Sequence, residues 1–192
     1  YDRYYRKGSW GSLTVVSLAI GQGELGFTPM QMANMVATIA NRGYYITPHI
    51  AKEVVDRRLD EVHSGIERHE TGIDAKHFEE VVEAMDQVLE KGTGTSAKID
   101  SLTVCGKTGT VQNPHGDDHS TFIAFAPKDD PRIAISVYVE NGYWGSRWAA
   151  PIAGLMIEKY LRDTISRPHI EKRMLEGNLI NPEPIVASNE AE

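Results

Sequence analysis

Apolar positions along the chain fall into runs with two distinct periods. Phe78, Val81, Val82, Met85, Val88 and Leu89 recur at helical spacing, with Glu79, Glu80, Glu83 and Glu90 opposite them. This pattern predicts one amphipathic helix ended by Gly92. A second helix is predicted from Thr28-Pro29-Met30-Gln31, where Thr28 suits the N-cap, Pro29 the first turn and Gln31 the return contact of a capping box, with Gly43 as the left-handed stop. Met30, Ala33, Met35, Val36, Ala37, Ile39 and Ala40 leave that helix almost no polar face. It should be buried on most sides, with Met30, Met32 and Met35 packed in the core.

Period two takes over downstream. Strands are expected over roughly Thr103–Gln112, Ser120–Ala126 and Arg132–Glu140, with Pro127 to Pro131 as a tight connection. Ile133, Ile135, Val137 and Val139 share one face of the last strand. The small or aromatic Ala134, Ser136 and Tyr138 on its other face suit cover on both sides. A helix from about Trp148 to Arg162 should cover one face of the sheet through Ile152, Leu155, Met156, Ile157, Tyr160 and Leu161. Between the first helix and the strands, Ile46 to Gly72 suggests a strand or hairpin with loops, and Gly92-Thr93-Gly94-Thr95-Ser96 a flexible turn. Residues 1–12 lack a period and suggest a severed approach segment. Beyond Ser166 the chain turns polar and proline-rich, which predicts a loosely held tail. The expected class is α/β (α+β), with an antiparallel sheet, a C-terminal helix on one face and further buried helices. The expected division is a domain portion at 1–165 and a tail at 166–192.

Composition narrows the function classes. A formal net charge of -7, without a basic cluster interleaved with aromatics, argues against nucleic acid as a partner. The single cysteine, Cys105, lies among apolar neighbours and suggests a buried small hydrophobe. The longest apolar stretch, Leu13 to Ile20, contains Thr14 and Ser17 and is too short to span a bilayer, and Tyr1-Asp2-Arg3 is not a signal peptide. Neither a cofactor nor a metal is expected. His115, Asp117, Asp118 and His119 follow Pro114, where no helical scaffold can set ligand spacing, so they are taken as a hydrated loop. Trp144, Trp148 and Tyr143 are taken as core or groove wall rather than a carbohydrate platform.

Lys107-Thr108-Gly109-Thr110 carries the candidate chemistry. A cation, two hydroxyls and a glycine on one extended stretch can grip a carboxylate and turn a backbone N–H toward a reacting carbonyl. Alone it is a short motif that a solvent-facing strand could also carry. Gly106-Lys107-Thr108 is not a phosphate-binding loop, because Ser101 stands where that motif needs glycine and a strand follows.

Gly21-Gln22-Gly23, Thr28-Pro29-Met30-Gln31-Met32-Ala33, Gly92-Thr93-Gly94-Thr95, Lys107-Thr108-Gly109-Thr110-Val111-Gln112, Phe122-Ile123-Ala124-Phe125-Ala126-Pro127 and Val137-Tyr138-Val139-Glu140-Asn141 occur in that order. Together they resemble the C-terminal part of the transpeptidase domain of class B penicillin-binding proteins, from about Leu18 to Leu161. Gly21-Gln22-Gly23 and Gln112 resemble the elongation type, penicillin-binding protein 2. The resemblance implies a serine D,D-transpeptidase fold and activity, in which a serine attacks a D-Ala-D-Ala stem peptide and passes the acyl group to a neighbouring strand's amine. Carried over by motif, Lys107 would set positive charge beside the substrate carboxylate, Thr108 and Thr110 would offer hydroxyls to it, and Gly109 would let substrate backbone lie close. The backbone N–H of Thr110 would be an oxyanion donor. The substrate would add to the sheet edge as a strand, in a groove that β-lactams would share.

By the same resemblance, the partners would be the peptidoglycan stem peptide, β-lactam antibiotics, a glycan-polymerising protein and the elongation machinery. The location would be the periplasmic face of the inner membrane, reached only through an anchor not in this sequence. One departure from the family is plain: no Ser-x-x-Lys and no Ser-x-Asn occurs in the 192 residues. The expectation is therefore that the nucleophile lies upstream and that this chain alone is inactive. A non-catalytic peptidoglycan- or β-lactam-binding module and part of a serine β-lactamase stay as alternatives. Without the family's two further strands, the strand Arg132–Glu140 is expected to have a bare edge.

Overall fold

The chain folds, in a computed structural model that describes residues 6, 11–23, 25–50 and 67–180, as a mixed α/β unit. In order it forms α1 (Ser12–Ala19), α2 (Pro29–Ala40), β1 (Tyr44–Ile46), β2 (Arg68–Glu70), α3 (Ala75–Lys91), a 3-10 turn (Thr95–Ala97), β3 (Cys105–Val111), β4 (His119–Ala126), β5 (Ile133–Val139), α4 (Ala149–Arg162) and α5 (Pro168–Glu176). β1 and β2 pair antiparallel as a small separate ladder, matching the hairpin expected near Ile46–Gly72. The main sheet has the order β3-β4-β5, antiparallel throughout.

α2 begins where its capping residues require. Thr28 Oγ1 accepts from Gln31 N at 3.2 Å, and Gln31 Oε1 accepts from Thr28 N at 2.8 Å. α3 buries Phe78, Val82, Met85 and Leu89 along one stripe. It stops at Gly92, where a Cβ would lie 2.8 Å from the Val88 carbonyl oxygen.

The central strand β4 separates two packed layers. On one side Phe122, Ala124 and Ala126 meet Ala149, Ala150, Ala153 and Ile157 of α4, with Leu89, Ile99 and Val104 closing the cluster. On the other side Phe125 and Cys105 meet Val36 and Ala40 of α2 and Val82 and Met85 of α3. β5 packs Ile133, Ile135, Val137 and Val139 on the first cluster and Ala134 on the second, but the expected cover of its second face is partial, since Tyr138 is 41% exposed. Among the described residues nothing pairs with the outer edge of β5.

Three expectations need correction, and one helix was not assigned from the sequence. α2 is not buried on most sides: Val36 and Ala40 are, but Met30 and Met35 are 61% and 42% exposed. Val36 and Ala40 face Phe125 and Cys105, and Met30 and Met35 lie on the exposed side of the helix. The apolar stretch after Gly11 forms a helix, α1, that buries none of its residues. Trp144, expected in the core or groove wall, is 69% exposed. The polar stretch beyond Ser166 opens with α5, held against α4 by Arg167, whose Nε lies 3.1 Å from Glu158 Oε2 and whose Nη1 donates to the Lys98 carbonyl at 2.8 Å. Residues 1–5, 7–10 and 181–192, which include most of the approach segment and the end of the expected tail, lie outside the described residues. None of the described helices is long and apolar enough to cross a membrane.

Candidate active-site strand

β3 carries the tetrapeptide. Its register against β4 sets Lys107 opposite Ile123, Thr108 opposite Phe122, Gly109 opposite Thr121 and Thr110 opposite Ser120. Side chains alternate along it, so Cys105, Lys107 and Gly109 face one side and Gly106, Thr108 and Thr110 the other. Cys105 ends that first row in the core, where burial, reinforced by the Asp86 charge, pushes its thiol up to about 12. It is a protonated packing residue at neutral pH, as its apolar neighbours suggest. The Lys107 side chain is exposed, and its Nζ donates to the Thr108 carbonyl at 2.8 Å.

Both ladder partners of β3 are accounted for among the described residues: β4 on one edge and no strand on the other. Residues of an antiparallel strand alternate between exchanging both backbone hydrogen bonds with the neighbour and turning both groups away. The Thr108 carbonyl accepts from Lys107 and the Thr110 carbonyl accepts from Gln22 Nε2 at 3.2 Å. Two carbonyls two residues apart, both taken by side chains, put the N–H groups of Thr108 and Thr110 on the same outer edge.

The bareness of Gly109 has a reason inside the sheet. A Cβ there would lie 2.9 Å from Thr121 Cγ2, while on the opposite face Gly145 comes so close that its own Cβ would lie 2.8 Å from the Gly109 carbonyl oxygen. Gly106 is similarly confined, with Phe122 Cζ 2.6 Å from where its Cβ would be. The absence of a side chain at Gly106 is required by packing before any ligand is considered, whereas at Gly109 a Cβ would press only on the Thr121 methyl.

Two residues that the sequence places in motifs, without a role at the site, meet this strand. Thr93 Oγ1 lies 2.6 Å from Thr108 Oγ1. The segment bearing Thr93, expected as a flexible turn, is pinned: Gly94 N donates to the Val88 carbonyl at 2.9 Å, Ser96 Oγ to the Ser146 carbonyl at 2.8 Å, and Ala97 lies in the core under Gly154. Gln22 reaches across from the turn after α1. Gly-Gln-Gly and Gly-Thr-Gly-Thr are visible as motifs, but their approach to β3 depends on a fold that brings residues 88 and 15 positions apart into contact.

The loop after β3 is hydrogen-bonded within itself. Asp118 Oδ1 accepts from Asn113 N at 3.1 Å, Asn113 Nδ2 donates to Asn141 Oδ1 at 3.1 Å, and His119 Nδ1 accepts from Asn141 N at 3.0 Å. His115, Asp117, Asp118 and His119 are not brought together as ligands; among the described residues no group of three or more metal-ligating side chains forms.

Charge near the Cys105 end of β3 is tied up structurally. Lys128 Nζ donates to Glu83 Oε2 at 2.6 Å and Asp86 Oδ2 at 2.8 Å; its hydrogen bonds to Asp86 and Glu83 raise the Lys128 pKa, and the bond from Lys128 lowers that of Glu83. Arg42 joins Glu79 at 3.1 Å and the Lys128 carbonyl at 3.2 Å. Lys107 stands apart from this network and has no carboxylate partner among the ion pairs of the described residues.

A family model described as the penicillin binding protein transpeptidase domain matches residues 4–158. Peptidoglycan D,D-transpeptidase MrdA of Acinetobacter baumannii is 31% identical over 173 residues, 81% of this chain and 25% of that protein. Peptidoglycan D,D-transpeptidase PbpA of Mycobacterium tuberculosis is 32% identical over 160 residues, 75% of this chain and 31% of that protein. The chain thus spans a quarter to a third of the length of these curated relatives. Among solved structures, Pseudomonas aeruginosa PBP2 in complex with WCK 5153 is 34% identical with a TM-score of 0.71, covering 84% of this chain and 37% of that one. Penicillin-binding protein A of M. tuberculosis as an imipenem acyl-enzyme complex is 29% identical with a TM-score of 0.66, covering 79% and 35%.

Proposed function

This chain belongs to the penicillin-binding protein transpeptidase family, and on that footing we propose that it forms the substrate-gripping side of a peptidoglycan D,D-transpeptidase of the elongation type. The observation that carries the reading is the outer edge of β3, which offers an exposed ammonium, paired threonine hydroxyls and outward N–H groups on one ribbon. An extended stem peptide adds to such an edge through backbone hydrogen bonds, and its terminal carboxylate is drawn to Lys107. Thr108, with Thr93 beside it, and Thr110 supply hydroxyls to that carboxylate. The Thr110 N–H polarises the carbonyl under attack, because a donor fixed in place before reaction stabilises developing negative charge without reorganisation.

The nucleophilic serine of this reading comes from sequence beyond these 192 residues, since no Ser-x-x-Lys lies within them. Residues 1–165 are the domain portion of this reading; α5, at 168–176, adds a docked helix to it. β-Lactams that acylate relatives would occupy the same groove. In this reading the parent works at the periplasmic face of the membrane beside a glycan-polymerising partner.

Covalent labelling with fluorescent penicillin tests the proposal. The parent protein carrying Ser-x-x-Lys should be labelled, its Lys107→Ala variant at least tenfold more slowly, and the 192-residue chain not at all. A folded parent that stays unlabelled would favour a non-catalytic binding module, and rapid nitrocefin hydrolysis by it would favour a β-lactamase.

A further inference from the structure

The open edge of β3 is already occupied by the chain's own donors. The Thr110 carbonyl, the acceptor that a backbone N–H of an added strand would use, receives the Gln22 carboxamide, and the Thr108 carbonyl receives the Lys107 ammonium. A carboxamide has the donor chemistry of a peptide group, so Gln22 stands in the place of one residue of a pairing strand. Such cover is a usual protection for an exposed edge.

The attachment of Gln22 suits an occupant that can leave. Its backbone is tied to α1 by Gln22 N donating to the Ser17 carbonyl at 2.9 Å, independently of the side chain. It lies between Gly21 and Gly23, with φ of +76° and +77°, a left-handed pair that turns the side chain toward β3. A Cβ on Gly21 would meet nothing within 4 Å, so that side of the turn is open, while on the Gly23 side a Cβ would lie 3.0 Å from Ser17 Oγ of α1. The side chain contributes one neutral hydrogen bond at 3.2 Å to the edge and is half-buried rather than locked in the core.

We propose that Gln22 is a specificity-determining residue that occupies the peptide position at Thr110 and is displaced by the amide N–H of an incoming acyl-D-Ala-D-Ala peptide. Only a ligand that presents an amide donor in register with its carboxylate at Lys107 replaces both native contacts at once. A ligand carrying the carboxylate alone leaves Gln22 in place and gains only the Lys107 end of the site. The inference rests on the reading of β3 as the strand that receives the peptide.

NMR titration of the 192-residue chain with Nα,Nε-diacetyl-Lys-D-Ala-D-Ala tests it. In the free chain a through-hydrogen-bond coupling should join the Gln22 side-chain nitrogen to the Thr110 carbonyl carbon, and saturation with peptide should abolish it while the Thr108 and Thr110 amides shift. Gln22→Ala and the length-preserving Gln22→Met should each bind the peptide about 2- to 10-fold more tightly, the range set by removing competition from one neutral hydrogen bond. Acetate, which lacks the amide, should bind wild type and variants alike. A coupling that persists in the peptide complex, or variants that bind the peptide equally or more weakly, overturns the displacement while leaving the substrate reading intact. Absence of any Thr108 or Thr110 shift in wild type and variants alike overturns the substrate reading and the displacement with it. The coupling measurement needs no substitution, so it decides the matter even where a variant folds poorly.

Discussion

The two faces of the β3-β4-β5 sheet are covered by different means. On the α4 face the chain closes its own core: Ala149, Ala150 and Ala153 let the helix backbone approach Phe122, Ala124 and Ala126, and the fully buried Glu158 is matched by Arg167. On the α2 and α3 face a smaller cluster of Val36, Ala40, Val82, Met85, Cys105 and Phe125 is braced by surface charge through Arg42 and Lys128. There Met30 and Met35 of α2 remain exposed. Stability should therefore concentrate on the α4 face, where the buried cluster is the larger of the two. The substrate-gripping strand belongs to both, with Cys105 in one layer and Gly106 against Phe122 in the other.

The sharpest break of this contrast is Phe122→Ala, at a fully buried ring against α4. Urea denaturation should register a loss of about 3–5 kcal/mol. A loss comparable to that of an exposed methionine would erase the distinction between the faces. Next comes Arg167→Ala, which removes the 3.1 Å charged partner of Glu158 Oε2, leaving Ser166 on Oε1, and removes the donor to the Lys98 carbonyl. Its cost should be about 3 kcal/mol, because a buried charge loses its partner. Equal stability of wild type and variant would mean that α5 contributes nothing to the α4 layer.

The same carboxylate gives the α4 face a pH signature. Burial raises the Glu158 pKa, but hydrogen bonds from Ser166 and Arg167 outweigh it, so the folded-state pKa lies below the ordinary 4.5. A depressed carboxylate contributes stability that is fully present above 4.5 and is lost as pH falls through the folded value. Unfolding free energy measured from pH 7 down to pH 3 should fall below 4.5, with a shallower fall in Glu158→Gln. Parallel curves for the two proteins would assign the acid sensitivity elsewhere.

On the opposite face the effects should shrink. Lys128→Met removes the bridge to Glu83 and Asp86 and should cost about 1 kcal/mol, less in high salt, since this network lies near the surface. A salt-independent loss would place it in the core instead. Smallest of all, Met35→Ala should change stability by no more than about 0.5 kcal/mol, because the side chain is already largely in solvent. A chemical-denaturation midpoint shifted well beyond that would mean that α2 packs on both sides after all.

Much of this architecture was legible from residue patterns. The capping box at Thr28 and Gln31, the stripe Phe78 to Leu89 with its Gly92 stop, and the β5 alternation all reappear, because each depends on contacts within one element or on one face. The tetrapeptide's placement on a strand with one open edge was legible too. The missed features share a cause. Thr93 beside Thr108, Gln22 on Thr110 and Arg167 on Glu158 are side-chain contacts between elements, and local spacing carries no record of which elements meet. α5 was missed because a short amphipathic helix in a polar, proline-bearing stretch takes its stability from docking rather than from composition.

Residue order by itself determined most of the elements, the chemistry-bearing strand and the family, since propensity, periodicity and motif are properties of neighbours along the chain. Tertiary structure alone decided which apolar stripes were buried, why Gly106 must be bare, and which donors sit on the carbonyls of β3. Those outcomes depend on close approach between segments far apart in sequence, where sub-ångström packing and hydrogen-bond geometry select one arrangement from the many that the same pattern allows.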